Sequence, residues 1–394
     1  MALADTFSGK QFSLFVAEDG SASSLLAGVF NDTASEYFRL DIEGVTFPTF
    51  NPTQEFEIRS GSAQLASFDD MFVSSTRVIN EFTISGRLDV NAKKILLQNA
   101  LSTASSSVAS TDSGDADGNN TSILINNDYQ ATNIALGTTA AAADSFHQTL
   151  SFYFAAPTAD DGYKIPGCVC SSLTISADVN DAAGRFNYEA TFQSASTPVK
   201  GAFAGLTAGA TSISASKVFL TELQKQSMSI FDIDSSGTDV SNITPVFNNF
   251  SITINNPRQF LGMQTVGGVI VPQVISSAKP ELEIMFSGGI KYDGDTDNLI
   301  EAHRDSAGTS FLIFAISDVA YFDGTDHQTN FAAGHVLADD STAKFGFTAH
   351  KAKLMSASVT SDDVALVNFE AKVTGTTNTG GHDTDLCAEF LIDS

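Results

Sequence analysis

The sequence predicts a mainly β protein: two tandem copies of a β-sandwich or small-barrel domain, each with a short flanking α-helix. Three observations carry that prediction. A motif occurs twice without a gap, apolar and polar residues alternate with period two in both halves, and both halves share one order of elements. Residues 74–86, Ser-Ser-Thr-Arg-Val-Ile-Asn-Glu-Phe-Thr-Ile-Ser-Gly, align with residues 276–288, Ser-Ser-Ala-Lys-Pro-Glu-Leu-Glu-Ile-Met-Phe-Ser-Gly. Ser74, Ser75, Glu81, Ser85 and Gly86 recur as Ser276, Ser277, Glu283, Ser287 and Gly288, while Arg77 becomes Lys279. Ser176-Ala177-Asp178-Val179 with Asn187-Tyr188-Glu189-Ala190 recurs as Ser356-Ala357-Ser358-Val359 with Asn368-Phe369-Glu370-Ala371. Two motif pairs in the same order imply duplication of a whole domain. A period of roughly 180–200 residues is that of domains, not of solenoid or propeller units.

The first domain is expected over residues 1–196, with an N-terminal arm that includes a strand candidate at residues 11–17. Phe82, Ile84, Leu88 and Val90 fall on one face of a strand, with Thr83, Ser85, Arg87 and Asp89 on the other. A short helix follows over residues 91–100, with Asn91 as its N-cap. Residues 102–121 are too small and polar to build a core and read as a surface loop within an insertion, 102–145, that has no counterpart in the second half. A strand at 151–155 leads to a final hairpin, whose arms alternate at Leu173, Ile175, Ala177, Val179 and at Phe186, Tyr188, Ala190, Phe192. Residues 197–215, rich in Ala, Gly, Ser and Thr, read as a linker. The second domain, 216–394, repeats the order: the Ser-Gly strand, a helix at 297–304 capped by Asp297, a strand at 310–314, and a hairpin. The inward residues of that hairpin are expected to be Met355, Ala357 and Val359, then Phe369, Ala371 and Val373.

Composition narrows the function. The chain has 394 residues, enough for two ordinary cores, and its 31 Phe and absent Trp point to interiors built on Phe. No stretch suits a membrane helix, since Val269-Ile270-Val271 is short and stopped by Pro272. The N-terminus lacks the basic and apolar regions of a secretory signal, which predicts synthesis in a cytoplasm. The net charge of −26 opposes binding to a nucleic-acid surface, which runs on Lys and Arg neutralising phosphates. It suits either plain solubility or a surface to which a polyanion must not stick.

No catalytic constellation is present: there is no nucleophile elbow, no zinc-protease motif, no phosphate loop and no dinucleotide fingerprint. The six histidines are scattered, and His382-Asp383-Thr384-Asp385 reads as a solvated turn. Cys168 and Cys170 point to one face of a β-like run and Cys387 stands apart, so all three read as buried or half-buried thiols. Asp293, Asp295 and Asp297 have calcium-loop spacing, as do Asp232, Asp234 and Ser236, and Asp112, Asp115 and Asp117 cluster. None has the closing Glu of an EF-hand, and acidic turns explain them. No cofactor, metal or enzyme activity is expected. Asn187, Glu189, Asn368 and Glu370 hold matching positions on the polar face of the last strand of each copy. They are either ordinary solvent-facing residues or the lining of a lumen, where repeated carboxylates would repel a passing polyanion.

The segment 165–177, Ile-Pro-Gly-Cys-Val-Cys-Ser-Ser-Leu-Thr-Ile-Ser-Ala, followed by 184–192, resembles the late hairpin of major tail tube proteins from long-tailed bacteriophages. So does the segment 246–256, Val-Phe-Asn-Asn-Phe-Ser-Ile-Thr-Ile-Asn-Asn, followed by 278–288. The resemblance implies a β-sandwich with a flanking helix, whose subunits join sheet edges into a ring around an acidic lumen. Rings of that family usually hold six such domains. A two-copy chain would therefore close as a homotrimer with pseudo-sixfold symmetry, as in some non-contractile, siphovirus-like tails. Stacked rings would conduct genomic DNA, with the tape measure protein passing through the lumen and tail terminator and distal tail proteins at the ends. The implied location is the virion tail after synthesis in the host bacterial cytoplasm, without membrane insertion. The resemblance includes no appended immunoglobulin-like decoration domain after the second copy. Two other readings stay open: another ring or hub component of a tail or secretion tube, and a two-domain adhesin or carbohydrate-binding module. The second would need exposed aromatic clusters, whereas the Phe residues sit at core-like alternating positions.

Overall fold

The computed structural model describes residues 12–19, 30–46, 53–56, 71–74, 79–101, 122–126, 134–135, 149–157, 162–181, 183–196, 198–200, 206, 218–220, 222–233, 239–243, 246–262, 264–266, 269–272, 274–277, 282–292, 311–318, 344–361, 365–375 and 386–391. The fold is mainly β, a set of connected antiparallel ladders with one α-helix among the described residues. In the first half the strands are Ser13–Glu18 (β1), Phe38–Arg39 (β2), Gly44–Val45 (β3), Thr53–Phe56 (β4), Met71–Ser74 (β5), Asn80–Arg87 (β6), Ser122–Asn126 (β7), Ile134–Ala135 (β8), Leu150–Ala155 (β9), Tyr163–Asp178 (β10), Asn187–Ser194 (β11) and Val199–Lys200 (β12). Helix α1 is Val90–Leu101. In the second half they are Ser227–Ile233 (β13), Asp239–Ile243 (β14), Phe247–Asn255 (β15), Arg258–Leu261 (β16), Gln264–Val266 (β17), Val269–Val271 (β18), Val274–Ser277 (β19), Glu283–Lys291 (β20), Phe311–Ser317 (β21), Gly346–Ser361 (β22), Ala365–Val373 (β23) and Leu386–Leu391 (β24).

The ladders of the first half run β2–β1–β9–β10–β11–β6–β3. Those of the second run β14–β13–β21–β22–β23–β20–β15, every pair again antiparallel. The short strand after the last hairpin also sits alike: β12 flanks the first part of β10, and β24 flanks the first part of β22. Each half carries a hairpin between corresponding strands, β4–β5 in the first and β16–β19, extended by β17–β18, in the second. The two seven-strand orders are joined by a ladder between β10 and β15, which pair from Ser172↔Asn255 to Asp178↔Asn249.

The sixteen-residue strands β10 and β22 are the pivots. The first part of each pairs with β9 or β21, and the second part with β11 or β23. Bulges accompany the change of partner, at Cys170/Ser172 in β10 and at Leu354/Ser356 in β22. A bulge bends its strand and raises local twist, which lets one strand change partners along its length. Gly167, at φ +65, sits within the earlier irregularity of β10, where a residue with a Cβ would be strained.

The core between the layers is the Phe-rich interior that composition predicts. Phe82 packs edge-on against Phe152 at 5.2 Å and stacks with Phe192 at 5.7 Å. In the second half Phe314 stacks with Phe286 at 4.8 Å and with Phe250 at 5.4 Å. Phe186 and Phe345, with ring centroids 4.7 Å apart, carry the apolar contact from one half to the other. The inward alternation expected for Leu173, Ile175 and Ala177 and for Phe186, Tyr188, Ala190 and Phe192 is observed, all seven being buried, whereas Val179 lies past the end of β10 and is only partly buried.

Several local expectations are corrected. The strand at 80–87 ends at Arg87, so Leu88 and Val90 lie beyond it, though both are buried in the same core as Phe82 and Ile84, and Val90 opens α1. The N-cap is Asp89, not Asn91: its Oδ1 accepts from Ala92 N at 2.9 Å, satisfying an orphan amide of the first turn. The late motif is also out of step. Ser176 lies opposite Asn187, but the residue opposite Asn368 is Ser358, in a register that runs unbroken from Ser361↔Ala365 at the turn. Met355 and Val359, expected inward, are exposed. Of the insertion, Ser122–Asn126 pairs with β24 and Ile134–Ala135 with β19, so both described pieces attach to second-half strands. Val199–Lys200, within the expected linker, pairs with β10. The helix expected at 297–304 and the acidic clusters at 112–117 and 293–297 lie outside the described residues.

Candidate functional site

The ladders place the sequence-selected residues on one surface. Strands β6, β11, β10, β15, β20, β23 and β22 form a continuous sheet whose inward residues fill the core. Period-two alternation puts every second residue on the opposite face. One row across that face reads Arg87, Asn187, Ser176, Ser251, Ser287, Glu370, Ser356. The adjacent row reads Ser85, Glu189, Thr174, Thr253, Met285, Lys372, Lys353.

Glu189 and Glu370 are both exposed, and their surroundings match. Glu189 lies between Ser85 and Thr174, and Glu370 between Ser287 and Ser356. The two serines come from the repeated Ser-Gly motif, so the sequence pairing of both motifs holds across the sheet. Asn187 and Asn368 flank them two residues earlier on the same face, opposite Ser176 and Ser358. The glycines of the motif have a steric reason. A Cβ on Gly86 would run into the Asp41 carbonyl, and one on Gly288 into the Phe247 ring. Both places require close approach by a neighbouring segment.

Hydrogen bonds tie the face together. Thr83 and Thr191 hydroxyls meet at 3.1 Å, and Thr174 and Thr253 at 3.2 Å. Ser172 donates to Asn255 at 3.0 Å, and Asn255 donates to Glu283 at 3.2 Å. Lys372 lies 3.6 Å from Glu283, which offsets one of the few cations of the surface. Arg87 is drawn over the Phe219 ring at 3.8 Å. The outcome is a wall of hydroxyls and amides in which Glu189 and Glu370 stand beside three cations, Arg87, Lys372 and Lys353. The sequence reading found the two Glu–Asn pairs but missed the row of hydroxyls at the junction of the halves. The alternation in Asn249-Phe250-Ser251-Ile252-Thr253-Ile254-Asn255 carries that signal once its partner strand is known.

Behind the face, the bend of β10 is locked by polar groups. Arg258 donates to Cys170 O at 3.2 Å and to Asn99 O at 3.1 Å, and Asn256 donates to Ala100 O at 3.0 Å. These second-half side chains satisfy carbonyls at the end of the first-half helix. Asp19, fully buried, accepts from Thr149 and Ser151 hydroxyls and from the Asn31 and Gly167 amides. Burial pushes its carboxyl above the usual carboxylate range, and those hydrogen bonds hold it down in part. All three cysteines are free and buried. Burial raises the Cys168 thiol, helped by the nearby Asp19, and pushes Cys170 up to about 12 against the pull of Arg258. Such thiols are protonated and inert at neutral pH. No group of three or more candidate metal ligands occurs among the described residues, and none of their helices is long and apolar enough to cross a membrane.

A groove of about 440 Å³ lies between β1, β2 and α1, lined by Glu18, Asn31, Glu36, Phe38, Lys94 and Gln98. Burial raises the Glu18 carboxyl there, opposed by Lys94. It holds no nucleophile paired with a base. Comparison with protein-family models and with curated proteins finds no match to this chain.

Proposed function

We propose that this chain is a structural subunit of a phage tail tube, built from two tandem copies of one sandwich-like domain, and that three chains close a ring of six domains. The observation that carries the reading is the ladder order. Seven strands follow one another as β2–β1–β9–β10–β11–β6–β3 and again as β14–β13–β21–β22–β23–β20–β15, and the copies are joined edge to edge by β10 and β15. Two like domains already side by side in one sheet are two of the six places of a pseudo-sixfold ring.

The polar face supports the same reading. A lumen for DNA must avoid the cation–phosphate contacts that release counterions and make polyanions adhere. Glu189 and Glu370, each between two hydroxyl side chains, offer repulsion at repeated positions. The net charge of −26 acts in the same direction. Under this reading the chain works without catalysis, in a virion tail, with the tape measure protein and genomic DNA as lumenal partners.

Electron microscopy of the purified full chain tests it. Rings or tubes with threefold symmetry and six density lobes per ring are expected. A chain that stays monomeric at high concentration in light scattering, and shows no rings, overturns the reading.

A further inference from the structure

The β10–β15 ladder is a template for a contact that the described residues of one chain leave incomplete. β10 has β11 on one side of its second part and β15 on the other. β22 holds the corresponding place, with β23 on one side, but no described residue pairs with its other side from Ser356 to Ser361. At the far end of the same sheet, β3 holds the place of β15, paired with β6 on one side only. Uncovering shows in the side chains. Ala177 of β10 is 4% exposed, whereas Val359, the residue after Ser358 as Ala177 is after Ser176, is 46% exposed. Met355, on the β22 bulge, is 54% exposed.

We infer that β22 of one chain pairs antiparallel with β3 of a second copy, in the register of the internal β10–β15 ladder. The inference rests on the tube-subunit reading and specifies its lateral contact. The register follows from matched neighbours. Ser176 and Ser358 both lie opposite the hairpin asparagine, which sets Thr174 against Ser356 and Ile175 against Ala357. Ser251 lies opposite Ser287 as Gly44 lies opposite Ser85, which sets Ile252 against Val45 and Thr253 against Thr46. The internal pairs Thr174↔Thr253, Ile175↔Ile252 and Ser176↔Ser251 then become Ser356 to Thr46, Ala357 to Val45 and Ser358 to Gly44 of the second copy.

The chemistry of the two edges agrees with that register. The hydroxyl pair of Thr174 and Thr253 becomes a hydroxyl pair of Ser356 and Thr46, and the buried Ile175–Ile252 pair becomes Ala357–Val45. Thr46 N donates to Thr83 O at 2.9 Å, so the main-chain groups of Thr46 face β6. By antiparallel alternation those of Val45 face the open edge, ready to bond. An unpaired, partly apolar edge is an aggregation hazard unless a set partner covers it. Because the two edges differ and lie at opposite ends of the sheet, the contact is head to tail, which closes into a ring or runs open.

Cross-linking reads the register. Ser356 and Thr46 would form a non-hydrogen-bonded pair, the geometry that brings side chains close enough for a disulfide. The full chain carrying both S356C and T46C is oxidised mildly, run on a non-reducing gel, and imaged in parallel. The buried native thiols remain protonated under these conditions. Covalent multimers up to a closed trimer are expected, at least tenfold more abundant than with S358C plus T46C, which is two residues out of register. Rings without that cross-link, or with equal cross-linking of the shifted pair, overturn the register and leave the tube-subunit reading standing. Absence of both rings and cross-link overturns both.

Discussion

β10 and β22 hold the same place in two like ladder orders. Each spans sixteen residues, bulges where it changes partners, and carries a hairpin partner on one side. β10 is covered on its other side by β15, and Leu173, Ile175 and Ala177 are buried to the last few per cent. No described strand covers β22 there, and Met355 and Val359 stand about half exposed. Burial of these residues is thus set by what lies beside the strand, not by the strand's own alternation. An antiparallel edge strand buries its inward side chains on one flank only, and the second flank needs a neighbour.

The largest expected effect measures that difference directly. Ile175→Ala removes a buried side chain from a packed junction and should cost about 3 kcal/mol in chemical denaturation of the unassembled chain. Val359→Ala in the same unassembled chain should change stability by less than about 0.5 kcal/mol. Equal costs would break the comparison. Next, Arg258→Ala should cost about 2 kcal/mol, because the Asn99 and Cys170 carbonyls lose a charged donor in a buried place.

A third test uses pH, since β10 carries two buried thiols and β22 none. Cys170 is raised in the folded chain from its ordinary 9.0 to about 12. A raised value means that its contribution is complete below pH 9 and is lost as pH climbs towards the folded value, because the unfolded thiol ionises first. Relative to pH 8, the share of stability lost at pH 10 through this one group is about 1.4 kcal/mol. Cys170→Ala should flatten the alkaline stability profile by that amount in urea titrations. An unchanged slope would show that the β10 interior admits water. A smaller effect is expected at the junction hydroxyls. A double-mutant cycle of Thr174→Val and Thr253→Val should give a coupling of about 0.5–1 kcal/mol. The smallest effect is that of Glu189→Gln with Glu370→Gln, which should move stability by less than about 0.5 kcal/mol since both carboxylates are exposed. A large loss would assign these two residues to structure and remove them from the candidate face.

Much of this was legible in the chain itself. The Ser-Gly strands, the final hairpins and the matched glutamates could be read because period-two alternation and a gapless repeat need only neighbours in sequence. The Asp89 cap was misplaced onto Asn91 because both residues are good caps, and only the chain path after Arg87 chooses between them. The exposure of Met355 and Val359 escaped because a bulge at 354–356 takes Met355 out of the pairing and no described strand flanks this part of β22. The attachment of Ser122–Asn126 to β24 escaped because nothing local marks a partner more than 250 residues away.

The sequence alone determined that this is a β protein with a Phe-filled interior, an acidic balance and a motif that recurs in its two halves, since composition and alternation fix which surfaces must leave water. Tertiary structure decided which strands lie side by side. Backbone edges are chemically alike and carry no local label, so only the packed sheet distinguishes the covered edge of β10 from the open edge of β22.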